Sequence, residues 1–159
     1  SLHDALPIWL WLPAGGGTSS DEVQAVRSIT GLSVLLVDDE AVVLEVVGEL
    51  LTASGATVHA FAEPAAAATW FADHAGEVGL ALLDGNMPGM TGWQLAVRLR
   101  EARPDLRIVA LTGAATAEAR NAWRQAGVRN LLQKPVTGAQ LQATLAEARD
   151  ALSDATPPA

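Results

Sequence analysis

Five short apolar runs alternate along this chain with five segments of helical periodicity, and few folds satisfy that order. Residues 33–37, 57–61, 80–83, 107–111 and 128–132 read as strands, and residues 40–54, 64–74, 92–102, 116–126 and 138–152 as helices. In the first helix Val43, Leu44, Val47, Leu50 and Leu51 fall on one face before Gly55 ends it. The second is Ala-rich with Pro64 at its start, and the third stops before Pro104. The strand runs are continuously apolar rather than alternating, as burial on both faces of a parallel sheet requires. Short connections with right-handed crossovers then put helices on both faces, an α/β doubly wound sheet.

Composition narrows the function. With 159 residues, half of them hydrophobic, the chain holds one domain of ordinary size and enough apolar material for a core. Aromatics are only 4%, so Leu, Val and Ala must fill that core. A formal charge of −8 argues against a nucleic-acid footprint. Cysteine is absent, which excludes disulfides, thiolate metal sites and a cysteine nucleophile, and fits a reducing cytoplasm. Any metal must therefore be held by oxygen or by His. The apolar stretch at 6–13 is far short of the roughly 20 residues that cross a bilayer, and the Ser-Leu-His-Asp start is not a signal peptide. A first residue of Ser rather than Met implies a fragment or processed chain.

Residues 14–20, Ala-Gly-Gly-Gly-Thr-Ser-Ser, have a linker's composition, and 21–30 is short and mildly amphipathic. The expected division is an N-terminal tail and linker over 1–31, a domain over 32–152 and a Pro-ending tail over 153–159.

Three motifs carry the chemistry: Val-Asp-Asp-Glu at 37–40, Leu-Leu-Asp-Gly-Asn-Met-Pro-Gly at 82–89 and Gln-Lys-Pro at 133–135. Each follows a strand, so the side chains emerge at the carboxyl edge of the sheet, where open α/β folds bind ligands. Asp38 and Asp39 repel each other there and call for a positive partner; hard oxygen ligands without His or Cys suit Mg²⁺. Asp-Asp-Glu alone equally suits a helix start. Asp84 ends the third strand in the same way, and a carboxylate beside Mg²⁺ can act as a nucleophile toward phosphorus; an isolated Asp-Gly is also a common turn. Lys134 can reach the same edge from the fifth strand, and Thr112, in Ala-Leu-Thr-Gly, offers a hydroxyl at the end of the fourth. Four strand ends out of five thus bear a candidate site residue, and the joint pattern is more specific than any member.

Residues 33–150 resemble the receiver domain of two-component response regulators. The resemblance implies a flavodoxin-like (βα)5 fold with strand order 2-1-3-4-5. It also implies that Asp84 is the phospho-acceptor, that Asp38, Asp39 and the Asn86 backbone carbonyl join Asp84 around Mg²⁺, and that Thr112 and Lys134 are the switch hydroxyl and phosphate-binding lysine. A cis Lys134-Pro135 bond is implied too. The expected function is acceptance of a phosphoryl group from a histidine kinase or histidine phosphotransfer protein, with a conformational switch as output. No nucleic-acid or membrane contact by this chain is expected, and a homodimer stays open. Whether such a self-phosphorylating domain counts as an enzyme is open as well. The chain departs from the family at Leu131, where an aromatic residue is usual, and at Ala114, which cannot orient an attacking water.

Two alternatives stand beside this reading. A Mg²⁺-dependent phosphatase or phosphotransferase also uses a strand-end Asp, but usually has a second Asp two residues on, where this chain has Asn86. A receiver-like binding module without phosphorylation is the other. Trp70 and Trp93 read as half-buried packing residues, and Trp123 as either packing or part of an output surface. Finally, residues 8–13, Ile-Trp-Leu-Trp-Leu-Pro, resemble the last strand of histidine-kinase ATP-binding domains, which would make the parent a hybrid sensor kinase ending in this domain, its catalytic core absent here.

Overall fold

The computed structural model describes residues 29–150, and the stretches read as kinase remnant, Gly-rich linker and C-terminal tail lie outside them. The elements are β1 (Ser33–Val37), α1 (Ala41–Ala53), β2 (Thr57–Phe61), α2 (Pro64–His74), β3 (Leu80–Asp84), α3 (Gly92–Ala102), β4 (Arg107–Thr112), α4 (Ala117–Gln125), β5 (Asn130–Gln133) and α5 (Gly138–Asp150). All neighbouring strands pair in parallel in the order β2-β1-β3-β4-β5, the flavodoxin-like arrangement that the family resemblance implies.

Successive strand residues point to opposite faces, and the core divides accordingly. Leu35, Val37, Ala81, Leu83, Ile108 and Ala110 pack under α2, α3 and α4, against Phe71, Leu95, Leu99 and Trp123. Val34, Leu36, Leu80, Leu82, Val109 and Leu111 pack under α1 and α5, against Val47, Leu51, Leu141 and Leu145. Ile29 is fully buried in that second layer, so the core begins upstream of Leu32. Every residue of β3 is buried, which fits its central place between β1 and β4.

Two boundaries move for identifiable reasons. The fifth strand begins at Asn130 rather than 128, because Gly127 (φ +77°) turns the chain out of α4 and the Val128 N–H closes the helix end by donating to the Trp123 carbonyl at 2.8 Å. The third strand extends to Asp84, which pairs in register with Leu111. The acceptor candidate is therefore part of the ladder rather than of the loop after it.

α3 starts on a capping box in which the Thr91 hydroxyl accepts from the Gln94 N–H at 3.3 Å while the Gln94 side chain accepts from the Thr91 N–H at 3.0 Å. Its first residue, Gly92, lies against the Asp84 carbonyl and Trp123, and a Cβ there would overlap the Asp84 backbone and stand 2.7 Å from the Trp123 ring. Gly92→Ala is therefore expected to cost about 2–4 kcal/mol. Gly76→Ala, at a position with open space around it, stays near neutral. Thermal and denaturant unfolding of the two variants check this pair.

Candidate functional site

β1, β3 and β5 deliver their terminal charged groups to one point at the carboxyl edge of the sheet. Asp38 follows β1 directly and is fully buried; its N–H donates to the Phe61 carbonyl at 3.1 Å and its Oδ1 accepts from the Glu40 N–H at 2.9 Å. That second bond shapes the turn into α1. Asp84 is buried at the end of β3, and Asp39 is exposed beside the pair. One carboxylate oxygen from each of Asp38, Asp39 and Asp84 lies within 4.8 Å of the others.

Lys134 answers this negative charge from the end of β5, across a Lys134-Pro135 bond that is cis. Its backbone N–H donates to the Thr112 carbonyl at 2.8 Å, which ties the lysine to the end of β4. The ammonium then sits 2.7 Å from Asp38 Oδ2, 3.0 Å from Asp84 Oδ1 and 3.2 Å from Glu40 Oε1. Burial opposes the ammonium's charge, but hydrogen bonds and attraction from Asp38 and Asp84 outweigh it and hold Lys134 well above the usual lysine range. Burial pushes the Asp84 carboxyl up; the Lys134 hydrogen bond pulls it back, and the charges of Asp38 and Asp39 push it up again, with a net rise.

The residue types suit a hard divalent cation. Asp38 Oδ2 is buried 2.7 Å from the Lys134 ammonium, and a carboxylate oxygen with one such partner keeps a lone pair that a cation can use. Three carboxylates against one ammonium leave the cluster negative, which favours a second positive charge.

Of the residues expected from sequence, Asp38, Asp39, Asp84 and Lys134 are brought together. Thr112 is buried at the end of β4, next to β3, and its hydroxyl donates to the Ala114 carbonyl at 2.8 Å, within its own loop. Asn86 is exposed, two residues beyond Asp84. In the sequence Glu40 reads only as a helix-start acid. It holds the N-cap position of α1 without a side-chain cap bond and accepts a hydrogen bond from Lys134 instead; its place directly after an acidic pair on a strand end was the available signal. Trp123, which reads from sequence as packing or output surface, is packing: it is fully buried, with its ring edge-on to Trp93 at 5.9 Å and its indole N–H without a hydrogen-bond partner among the described residues. Trp93 and Trp70 are half-buried as expected.

Residues 34–146 match the family described as response regulator receiver domain. Among curated relatives, the response regulator and cyclic di-GMP phosphodiesterase RpfG of Xanthomonas campestris is 34% identical over 117 residues, 71% of this chain and 30% of that protein. The sensor histidine kinase RcsC of Salmonella typhimurium is 38% identical over 69 residues, 43% of this chain and 7% of the kinase. The chain thus spans less than a third of the length of either. A CheY-like receiver domain from Methanospirillum hungatei JF-1 shares the fold, with a TM-score of 0.74 at 24% identity over 80% of this chain and all of that one.

The raised Asp84 carboxyl predicts how stability varies with pH. Above the ordinary value of 3.8 the unfolded chain loses its Asp84 proton before the folded one does, so this group lowers stability as pH rises through the interval up to its folded value. Asp84→Asn removes that loss. In metal-free buffer the variant should gain stability relative to the parent as pH rises from about 4 towards neutral, a gain that is absent below about pH 4. Denaturant melts across the acid range check it.

Proposed function

The chain belongs to the response regulator receiver domain family, and from that membership we propose that it takes a phosphoryl group from a partner's phosphohistidine onto Asp84 and switches conformation in response. The observation that carries the reading is the Lys134 ammonium bridging Asp38 and Asp84 at 2.7 and 3.0 Å, at the ends of three different strands.

An Asp84 carboxylate oxygen attacks phosphorus in line with the leaving imidazole nitrogen; the P–O bond forms as the P–N bond breaks, and the nitrogen keeps the electron pair. Lys134 already touches Asp84 and therefore stands beside the incoming phosphoryl oxygens without having to travel. Asp38, Asp39 and Asp84, with the Asn86 backbone carbonyl by family resemblance, would hold Mg²⁺. When bound, Mg²⁺ neutralises charge on the transferring group. Thr112 is the second reader. To bond a phosphoryl oxygen its hydroxyl must leave the Ala114 carbonyl, and that exchange moves the loop between β4 and α4. Only contacts that differ between the two states shift the equilibrium, and this is such a contact.

A histidine kinase or histidine phosphotransfer protein is the fitting donor. Beside Lys134 lies a groove of about 470 Å³ lined by Val42, Val43, Val46, Pro135 and Val136. Val42 and Val46 are 70% and 48% exposed there, an apolar surface next to the acceptor that suits a docking protein. The similarity to a sensor histidine kinase supports a hybrid-kinase parent in which 1–31 link the receiver, over 32–152, to an upstream catalytic domain. No helix among the described residues is long and apolar enough to cross a membrane; a cytoplasmic placement of the receiver fits its phosphohistidine donor.

Incubation with acetyl phosphate and Mg²⁺ should add one phosphoryl mass to the intact protein. EDTA and Asp84→Asn should each abolish the addition, while Thr112→Ala should still take label. A label that survives Asp84→Asn contradicts the acceptor assignment, and a parent protein that takes none contradicts the reading as a whole.

A further inference from the structure

The end of the sheet opposite the carboxylate cluster carries the reverse charge. Arg107 opens β4, and Arg129 lies directly before β5. Arg100 sits in the last turn of α3, a crossover helix whose C-terminal end returns to the same amino edge of the parallel sheet. The three arginines line one recess of about 460 Å³, a volume in the range of small-molecule sites. Buried Ile108 and Ala148 give it apolar walls, and Glu147 of α5 is its one acidic group.

Arg100 is held in place by the fold. Its Nη1 donates to the Ala126 carbonyl at 2.9 Å and its Nε to the Leu106 carbonyl at 3.4 Å, which fixes the guanidinium plane. Gly127 lies against it, and a Cβ at that position would overlap Nη1. Two of the five guanidinium N–H groups are used in this way, so three are left for a further acceptor. Burial, and after it the charge of Arg107, hold Arg100 below the usual arginine range, although an arginine stays charged at neutral pH. Among the described residues Arg107 and Arg129 make no ion pair or side-chain hydrogen bond, and Glu147 stands beyond ion-pair range of all three arginines. Three like charges thus share one recess with no neutralising contact.

We infer that this recess binds a small phosphate-bearing anion, its phosphoryl oxygens on Arg100, Arg107 and Arg129. Guanidinium groups arriving from α3, β4 and the turn before β5 offer donors in more than one plane. A tetrahedral phosphate with several terminal oxygens uses such donors, whereas a planar carboxylate is filled by one bidentate arginine. Asn130, half-buried in the same recess, adds an amide donor. Free phosphate and a phosphomonoester share this chemistry, and the apolar walls leave a place for the organic part of an ester. A nucleic acid fits poorly, because its continuous charge would meet residues 29–97, which carry nine carboxylates and no Lys or Arg. The site does not rest on phosphoryl acceptance: it lies at the other end of the strands from Asp84 and uses none of the residues gathered there.

The test is an NMR titration of the ¹⁵N-labelled intact chain in metal-free buffer at fixed ionic strength, with inorganic phosphate, adenosine monophosphate, adenosine and citrate as probes. Phosphate and adenosine monophosphate should shift the amides of residues 107, 108, 127, 129 and 130 saturably, and adenosine should not. Tighter binding of the monophosphate, by about threefold or more, assigns the site to an ester, and equal affinity assigns it to free phosphate; both support the site. Arg107→Gln and Arg129→Gln should each weaken monophosphate binding by about three- to tenfold. Neither side chain bonds within the described fold, so both variants should stay folded, which circular dichroism and melting temperature check. Glu147→Gln, which removes the opposing carboxylate, should tighten binding by about twofold. Arg98→Gln, on α3 outside the recess, should change nothing. Citrate that binds as tightly as the monophosphate overturns the assignment to phosphate. Equal weakening by Arg98→Gln, adenosine shifting the same amides as strongly, shifts confined to the edge around Asp84, or no saturable shift at all overturns the site.

Discussion

Three carboxylates converge on the end of one sheet, and the Lys134 ammonium is what allows them to. Two like unit charges about 4 Å apart in a partly buried setting repel by roughly 4 kcal/mol, and an opposite charge at similar range returns as much. The lysine touches Asp38 at the end of β1, Asp84 at the end of β3 and Glu40 at the start of α1, while its own backbone is bonded to the end of β4. One residue thereby joins the ends of β1, β3 and β4, which are far apart in sequence, to its own strand. The parallel register makes this reach short: Val37 pairs with Leu83, Asp84 with Leu111, and Thr112 with Gln133, so every terminal group arrives at the same level.

The cluster is close to balanced but still negative, and that residue of charge is its chemistry. A site with every carboxylate neutralised would have no use for a divalent cation, and one without the lysine would lack a fixed donor for phosphoryl oxygens. Burial sharpens both properties, since it makes each charge more sensitive to its neighbours. Family membership and this geometry point the same way, and the chain matches only part of each of two larger relatives, one named as a phosphodiesterase response regulator and one as a sensor kinase.

Much of this was legible in the sequence because strand ends are easy to locate when both faces of a strand are buried. Asp38, Asp84 and Thr112 each terminate a continuous apolar run, Lys134 follows the Leu131-Leu132 pair by two residues, and a parallel α/β sheet sends such residues to one edge. What escaped depends on contacts between distant residues. Glu40 looks like a helix-start acid until Lys134, 94 residues away, is beside it. Val128 looks like the first residue of a strand until its N–H is seen to finish α4. Trp123 could be exposed or buried on a short helix. Its burial depends on glycine at Gly92, which leaves room for a large ring against the Asp84 backbone. The aromatic bulk beside Asp84 thus comes from α4 in this chain, while the position on β5 where the family resemblance leads one to expect an aromatic residue is occupied by Leu131.

The central claim is that, of the clustered carboxylates, Asp84 is the one that bonds to phosphorus, the others serving the cation and the turn. Borohydride reduces an acyl phosphate to an alcohol, so treating the acetyl phosphate-labelled wild-type protein and mapping its peptides reads the site directly, without a substitution. The account predicts homoserine at position 84 and unreduced Asp at 38 and 39; homoserine at either of those positions, with Asp84 intact, would contradict it.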